Sequence, residues 1–287
     1  MTVSIIADSA ADLPKSLIEQ YGIEVLPLSV SDAAGQYSDG GTLQPKTLFE
    51  RMREGHVYKT AQVSIDQFRK AFTKLAVEGR SGVYVAFSSG ISGTYQTSLL
   101  VRDMVQEEYP DLDLRIVDTK CASVGCGLVV VKAAEAALAG KNADEVAETA
   151  EYAAQHMEHI FTVDNLEYLY RGGRVSKTSA FIGGLLNIKP VLHMEDGKLV
   201  PLEKIRGKSK VLGRMVELME KRGAADLKDQ TIGISHGDDP EAAETLERMI
   251  REKFGCDKFV TNMIGGAIGA HAGPGTLALF FYNEQLS

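Results

Sequence analysis

Apolar and polar positions along the chain follow two alternating rhythms. Short β-branched runs at residues 3–7 (VSIIA), 23–30 (IEVLPLSV), 83–87 (VYVAF) and 114–118 (LRIVD) read as strands. Helical patterns separate them, near residues 15–21 after Pro14 and over 45–54, 64–77, 94–108, 123–139 and 143–156. Strands alternating with helices of this length imply βαβ units and a mainly parallel sheet. The second half changes character. In NIKPVLHMEDGKLVPLEKI two extended runs meet at Asp196-Gly197, a hairpin signal. A helix over 208–221, a strand over 231–236, a helix over 240–254, a strand over 258–262, a glycine-rich loop and a last strand over 277–282 follow. The pattern predicts a single α/β domain of two tightly packed lobes. Residues 1–158 form a parallel-sheet lobe and residues 159–287 a mixed-sheet lobe with the hairpin. The crevice between them is the expected ligand site.

Composition narrows the function. A chain of 287 residues can bury a sizeable core, and its formal charge of −8 argues against nucleic-acid binding. The opening MTVSIIADSAADLP has no basic stretch before its short apolar run, so no signal peptide is expected there. No run approaches the ~18 apolar residues of a membrane span. Cys121, Cys126 and Cys256 form no disulfide framework and no zinc spacing, and a cytoplasmic location is expected. Metal motifs are missing from the sequence as well.

Chemistry concentrates in SSGISGTYQTS, residues 88–98, at a strand-to-helix corner where six of eleven residues are serine or threonine. Gly90-Ile91-Ser92-Gly93-Thr94 resembles a nucleophile elbow but has threonine at the last glycine position. An acyl hydrolase with Ser92 as nucleophile therefore stands as an alternative reading. Residues 202–209 and 172–178 end like phosphate loops but lack the required glycines. Helix capping accounts for one or two of the six hydroxyls. The remainder, beside a helix amino terminus and without a lysine clamp, fit a carboxylate or a carbonyl better than a triphosphate.

The chain resembles the DegV family. Asp8-Ser9 and Asp12-Leu13-Pro14 match its opening motif, and residues 89–96 (SGISGTYQ) match its most specific signature. Leu166-Glu167-Tyr168-Leu169, Gly172-Gly173-Arg174-Val175-Ser176, residues 185–190 (LLNIKP), His271 and Gly273-Pro274-Gly275 complete the set. One departure is Val63, where the family's loop has proline.

The resemblance implies a carrier without enzymatic activity or cofactor. It would bind a long-chain fatty acid in an apolar tunnel and present the carboxylate to a separate fatty acid kinase that forms an acyl phosphate. A lipid sensor without a kinase partner is the third reading. By motif match, Thr60, Ser92 and His271 hold the carboxylate, with Gln62, Gly93 and Thr94 as supporting loop. About 15 methylenes at ~0.8 kcal/mol each would contribute roughly 12 kcal/mol before ordering costs, so the tail supplies affinity and the headgroup contacts fix orientation. Arg171 and Arg174, beside the turn at Gly172-Gly173, are expected to project outward for kinase docking or to sit near the headgroup. Transient contact with a membrane surface, though no span, fits such a carrier. Asp8 and Asp12 read first as loop and cap residues, and Lys59 as solvated.

Overall fold

The computed structural model describes residues 3–176 and 188–284. Its first half runs β1 (Ser4–Asp8), α1 (Lys15–Tyr21), β2 (Glu24–Leu26), β3 (Ser29–Asp32), β4 (Gly35–Ser38), α2 (Pro45–Arg53), β5 (Lys59–Ala61), α3 (Ile65–Glu78), β6 (Gly82–Ala86), α4 (Thr94–Glu108), β7 (Leu114–Asp118), α5 (Ser123–Leu138) and α6 (Ala143–Gln155). The second half runs β8 (Met157–Thr162), α7 (Glu167–Arg171), β9 (Ile188–Glu195), β10 (Lys198–Arg206), α8 (Lys208–Arg222), β11 (Thr231–His236), α9 (Pro240–Phe254), β12 (Lys258–Met263), α10 (Gly266–Ala272) and β13 (Leu277–Tyr282).

A four-stranded sheet of order β2-β1-β6-β7 is parallel throughout. A six-stranded sheet of order β10-β9-β8-β13-β11-β12 is mixed, with β11 and β12 parallel and its other pairs antiparallel. Asp196 and Gly197, both at positive φ, close the β9–β10 hairpin. Of the family-like run 185–190, Leu185, Leu186 and Asn187 lie outside the described residues, as do Lys177 and Thr178 of the weak phosphate-loop match; Ile188, Lys189 and Pro190 open β9.

Two expectations are corrected. Residues 23–30 do not form one strand. Pro27 offers no N–H to a ladder, so pairing with β1 ends at Leu26 and the Leu28 N–H donates to Ser9 Oγ at 3.0 Å. The chain then enters a small antiparallel sheet, β4-β3-β5, that brings Thr60 opposite Val30. The glycine-rich stretch before the last strand is not all loop either, because it contains α10. A Cβ at Gly269 would stand 2.8 Å from the Phe49 ring, so glycine lets this helix press onto α2.

Helix α5 joins the two large sheets. It packs against β1 and β6 on one side and β8, β11 and β13 on the other. Val83, Val85, Val124, Val129, Phe161, Leu192 and Phe280 consequently share one core. Fully buried Met215, Met219, Leu246 and Ile250 belong to a second core under α8 and α9. Phe68, Phe72 and Tyr84 anchor a third beneath α3 and α4. With these layers packed, the crevice between the sheets has rigid walls.

Candidate functional site

Most of the hydroxyls at the β6–α4 corner hold the corner itself. Ser88 Oγ donates to the Gly197 carbonyl at 2.7 Å, tying the corner to the hairpin tip. Ser89 Oγ donates to Asp118 Oδ2 at 2.5 Å, and Lys120 pairs with the same carboxylate at 2.6 Å. These contacts keep the Asp118 carboxyl below its usual range despite partial burial. Gln62 Nε2 donates to Thr97 Oγ1 at 2.5 Å, and Ser98 Oγ donates to the Tyr95 carbonyl at 2.7 Å. Four of the six hydroxyls thus have structural roles, more than capping alone predicts. Ser92 and Thr94 remain, hydrogen-bonded to each other at 2.9 Å, and the Thr94 N–H donates to Ser92 Oγ at 3.2 Å. Ser92 faces the crevice, whereas Thr94 is fully buried behind it.

That crevice is a cavity of about 400 Å³. Its walls are mainly apolar: Leu28, Phe87, Ile91, Phe161, Leu169, Met194, Leu199, Ile264, Ile268 and Phe280. Thr60, Gln62, Ser92, Gly93, Arg174 and His271 also line it. Thr60 Oγ1 and His271 Nε2 share a hydrogen bond of 2.7 Å between β5 and α10. Burial, reinforced by the charge of Arg174, lowers His271 to about 4, so its ring is neutral at pH 7. Gly172 is required beside it, because a Cβ there would collide with His271 Nδ1.

Arg174 does not project outward as the glycine turn predicts. It is half-buried in the cavity wall, its Nε donating to the Ile91 carbonyl at 3.3 Å and its Nη1 to the Gly172 carbonyl at 2.5 Å. Gly173, at φ 72°, makes the turn that sends the side chain inward. Among the described residues no carboxylate pairs with it, and burial lowers the guanidinium from its ordinary value while leaving it charged. Arg171, by contrast, is exposed and lies 5.3 Å over the Tyr168 ring.

Gln62 is exposed and arches over Gly93, where a Cβ would strike its amide oxygen. The family proline's replacement, Val63, is fully buried and joins the core under α3. Ser64 and Gln67 close a capping box at the start of α3, so the loop is anchored on both sides.

The aspartates of the opening motif build the frame. Asp8 accepts from the Tyr84 hydroxyl at 2.7 Å and the Phe87 N–H at 3.0 Å, and burial raises it to about 6. Asp12 accepts from the Ser123 hydroxyl at 2.5 Å and the Gly265 N–H at 2.8 Å, while Asp39 accepts from the Gly266 N–H at 2.6 Å. Burial also raises both of these carboxyls. Together they receive the first N–H groups of α10, the helix that carries His271.

Ile264, Ala267, Ile268 and His271 line the cavity at spacings of three and four, a helical face that the surrounding glycines mask in the sequence. The contributions of Met194 and Leu199 depend on how the hairpin docks and carry no local signal. His159 also lines the wall, but its Nε2 accepts from the Ala122 N–H at 3.1 Å and its Nδ1 bonds the Met157 carbonyl at 3.2 Å, which makes it a satisfied core histidine. Among the described residues no group of three or more His, Cys, Asp or Glu side chains is placed to hold a metal ion, and no helix is long and apolar enough to cross a membrane.

Comparison with known proteins agrees with the motifs. A DegV domain-containing protein of Clostridium perfringens is 43% identical over 283 residues, covering 98% of this chain and 97% of the relative. A Thermus thermophilus DegV protein described by its fatty acid binding superposes with a TM-score of 0.87 at 29% identity, covering 98% of this chain and 99% of the other. A lipid-binding DegV protein of Thermotoga maritima gives a TM-score of 0.84 at 31% identity, covering 99% of this chain and 100% of the other. The sequence profile described as "Uncharacterised protein, DegV family" matches residues 2–284, and the chain belongs to that family.

Proposed function

We propose that this protein is a carrier for a long-chain fatty acid. The observation that carries the reading is the meeting of Thr60, Ser92, His271 and Arg174 on one apolar cavity. Four donors from four separate segments converge there, and the one cation among them faces no acid from the described chain. A single carboxylate on an apolar tail matches that arrangement in both charge and polarity. The tail is buried along Phe87, Phe161, Leu169, Met194 and Phe280 and supplies the affinity, while the hydroxyls and the guanidinium orient the head. Fatty acid binding described for relatives of the same fold supports the ligand class.

The carrier presents its carboxylate to a separate kinase, which forms an acyl phosphate, and the cytoplasm is where the pair works. Exposed Arg171, the last residue of α7, is the docking residue on this side. No cofactor is needed for binding and presentation. A serine hydrolase is disfavoured by the pairing of side chains. The Ser92 hydroxyl engages Thr94 and the His271 ring engages Thr60, so no serine–histidine couple is formed.

Extraction of purified protein followed by mass spectrometry tests the reading, with non-covalent fatty acid at about one per chain as the expected result. Stoichiometric labelling of Ser92 by a fluorophosphonate, together with ester turnover, would overturn it in favour of the hydrolase.

A further inference from the structure

Across the six-stranded sheet, Phe280 of β13 stands opposite His159 of β8, and Leu199 of β10 stands opposite Met194 of β9. The β8–β9 register, with Ile160 opposite His193, carries the row from His159 to Met194. All four side chains line the cavity. Two residues further along the same strands, and on the same face of the sheet, are Met157 and Asp196. These line a second chamber, of about 520 Å³. The row is therefore a partition between two spaces, and His159 and Met194 are the residues that line both.

The two sides of the partition differ in kind. The cavity is mainly apolar, whereas the outer chamber carries Asp118, Lys120, Glu151, Gln155 and Asp196, with Asp118 and Lys120 in an ion pair of 2.6 Å. An apolar tail gains by burial in the first space and would strip water from charged groups in the second. The two partition residues differ as well. The His159 ring is fixed on three sides, by the Ala122 N–H, by the Met157 carbonyl and by an edge-on contact with Phe280 at 5.2 Å. Met194 is half-buried, unbranched and held by packing alone, which suits a side chain that adapts to its neighbours. Its backbone is secured, because the hairpin tip is tied to the β6–α4 corner through Ser88 and the Gly197 carbonyl. The side chain is the movable part of the wall.

We infer that Met194 sets the longest tail that the cavity accepts, by closing it off from the polar chamber behind. A tail that grows to the partition must displace the thioether, and beyond it finds charged groups rather than apolar wall. The inference rests on the fatty acid reading of the cavity.

Calorimetric titration of delipidated protein with the saturated acids from dodecanoate to docosanoate tests it. Each buried methylene should raise affinity about fourfold. The parent's affinity is therefore expected to climb with chain length and then break where the tail meets Met194. Met194→Ala deletes the side chain beyond Cβ and should move that break to acids longer by about three methylenes, the room vacated. Met194→Val, a milder truncation, should move it less far, and Met194→Leu, which conserves volume, should restore the parent's break. A parent series without a break, or one break shared by the parent and both truncations, overturns the inference and leaves the carrier reading standing. Failure of the parent to bind any acid of the series overturns the carrier reading itself.

Discussion

Replacing Arg174 by glutamine removes the cavity's positive charge and keeps a polar side chain able to reach the same carbonyls. The guanidinium is already half-desolvated and donates to the Ile91 and Gly172 carbonyls, so its cost of burial is met in the folded protein before ligand arrives. A hydrogen bond to a charged group contributes roughly 1.5–3 kcal/mol, which predicts fatty acid affinity falling about ten- to a hundredfold. The same substitution removes the charge that helps to lower His271. The His271 titration should therefore move upward from about 4, while burial, the larger cause, keeps it below the ordinary histidine value. Calorimetry of delipidated protein reads the first effect and NMR titration of the histidine ring reads the second. Unchanged affinity with an unmoved His271 titration would place the guanidinium away from the headgroup and refute the reasoning. A loss of kinase turnover with affinity intact would restore the docking role predicted from the sequence.

Other perturbations probe separate parts of the frame. Thr60→Val keeps the β-branched shape in β5 but leaves His271 Nε2 unpaired, so calorimetry should show binding weakened about tenfold with little change in Tm. Gly172→Ala introduces no backbone strain at φ −72° yet pushes a methyl group into His271, and a comparable loss of affinity is expected without a polar group being removed. Ser88→Ala leaves the Gly197 carbonyl without its donor and should lower stability in urea titration by about 1 kcal/mol. For pH, the His271 value is about 4 in the folded state against 6.5 ordinarily, so the unfolded chain binds the extra proton between those values. Its stabilising contribution is present above pH ~6.5 and lost as pH falls toward 4. Asp8, raised to about 6 from 3.8, acts in the opposite sense over its own window. Comparison of ligand-free parent and His271→Gln isolates the histidine: the parent's relative stability should drop by up to ~3 kcal/mol from pH 7 to pH 4, and a flat difference would disprove the assignment.

The periodicities carried most of the sheet order's raw material, because β6, β7, β11 and β13 are short apolar runs bounded by polar turns. Strands β4 and β5 escaped notice. GQYS and KTA are short and polar, and their pairing is fixed by what lies above them, α2 and α10, rather than by their own pattern. Helix α10 was concealed by its glycines, which lower helix propensity but are required by contact with Phe49 and Asp39. The motif residues were legible as types, and their partnerships were not. Nothing local in residues 59–64 indicates that Thr60 meets a histidine 211 positions away. Of the two expectations for Arg174, outward projection fails for the same reason. A glycine turn permits an arginine to point either way, and Gly173 at positive φ turned it inward.

The placement of the buried acids is compatible with the proposed carboxylate site in an acidic chain. Asp12 and Asp39 sit at the amino end of α10, and their charge is spread over the Ser9 and Ser123 hydroxyls and the Gly265 and Gly266 N–H groups. Burial raises both carboxyls, and neither of them lines the cavity. At the opposite end of the same helix His271 is held neutral, so it offers a hydrogen-bonding ring without adding charge. Arg174 then stands as the cation of the cavity wall among the described residues. One desolvated cation meeting one carboxylate leaves no net charge inside, whereas a neutral lipid head would leave the guanidinium with backbone carbonyls alone. On the carrier reading, discrimination against esters and alcohols of equal chain length is therefore expected to originate at Arg174, with the apolar walls, which treat all of these tails alike, setting the strength with which any of them is held.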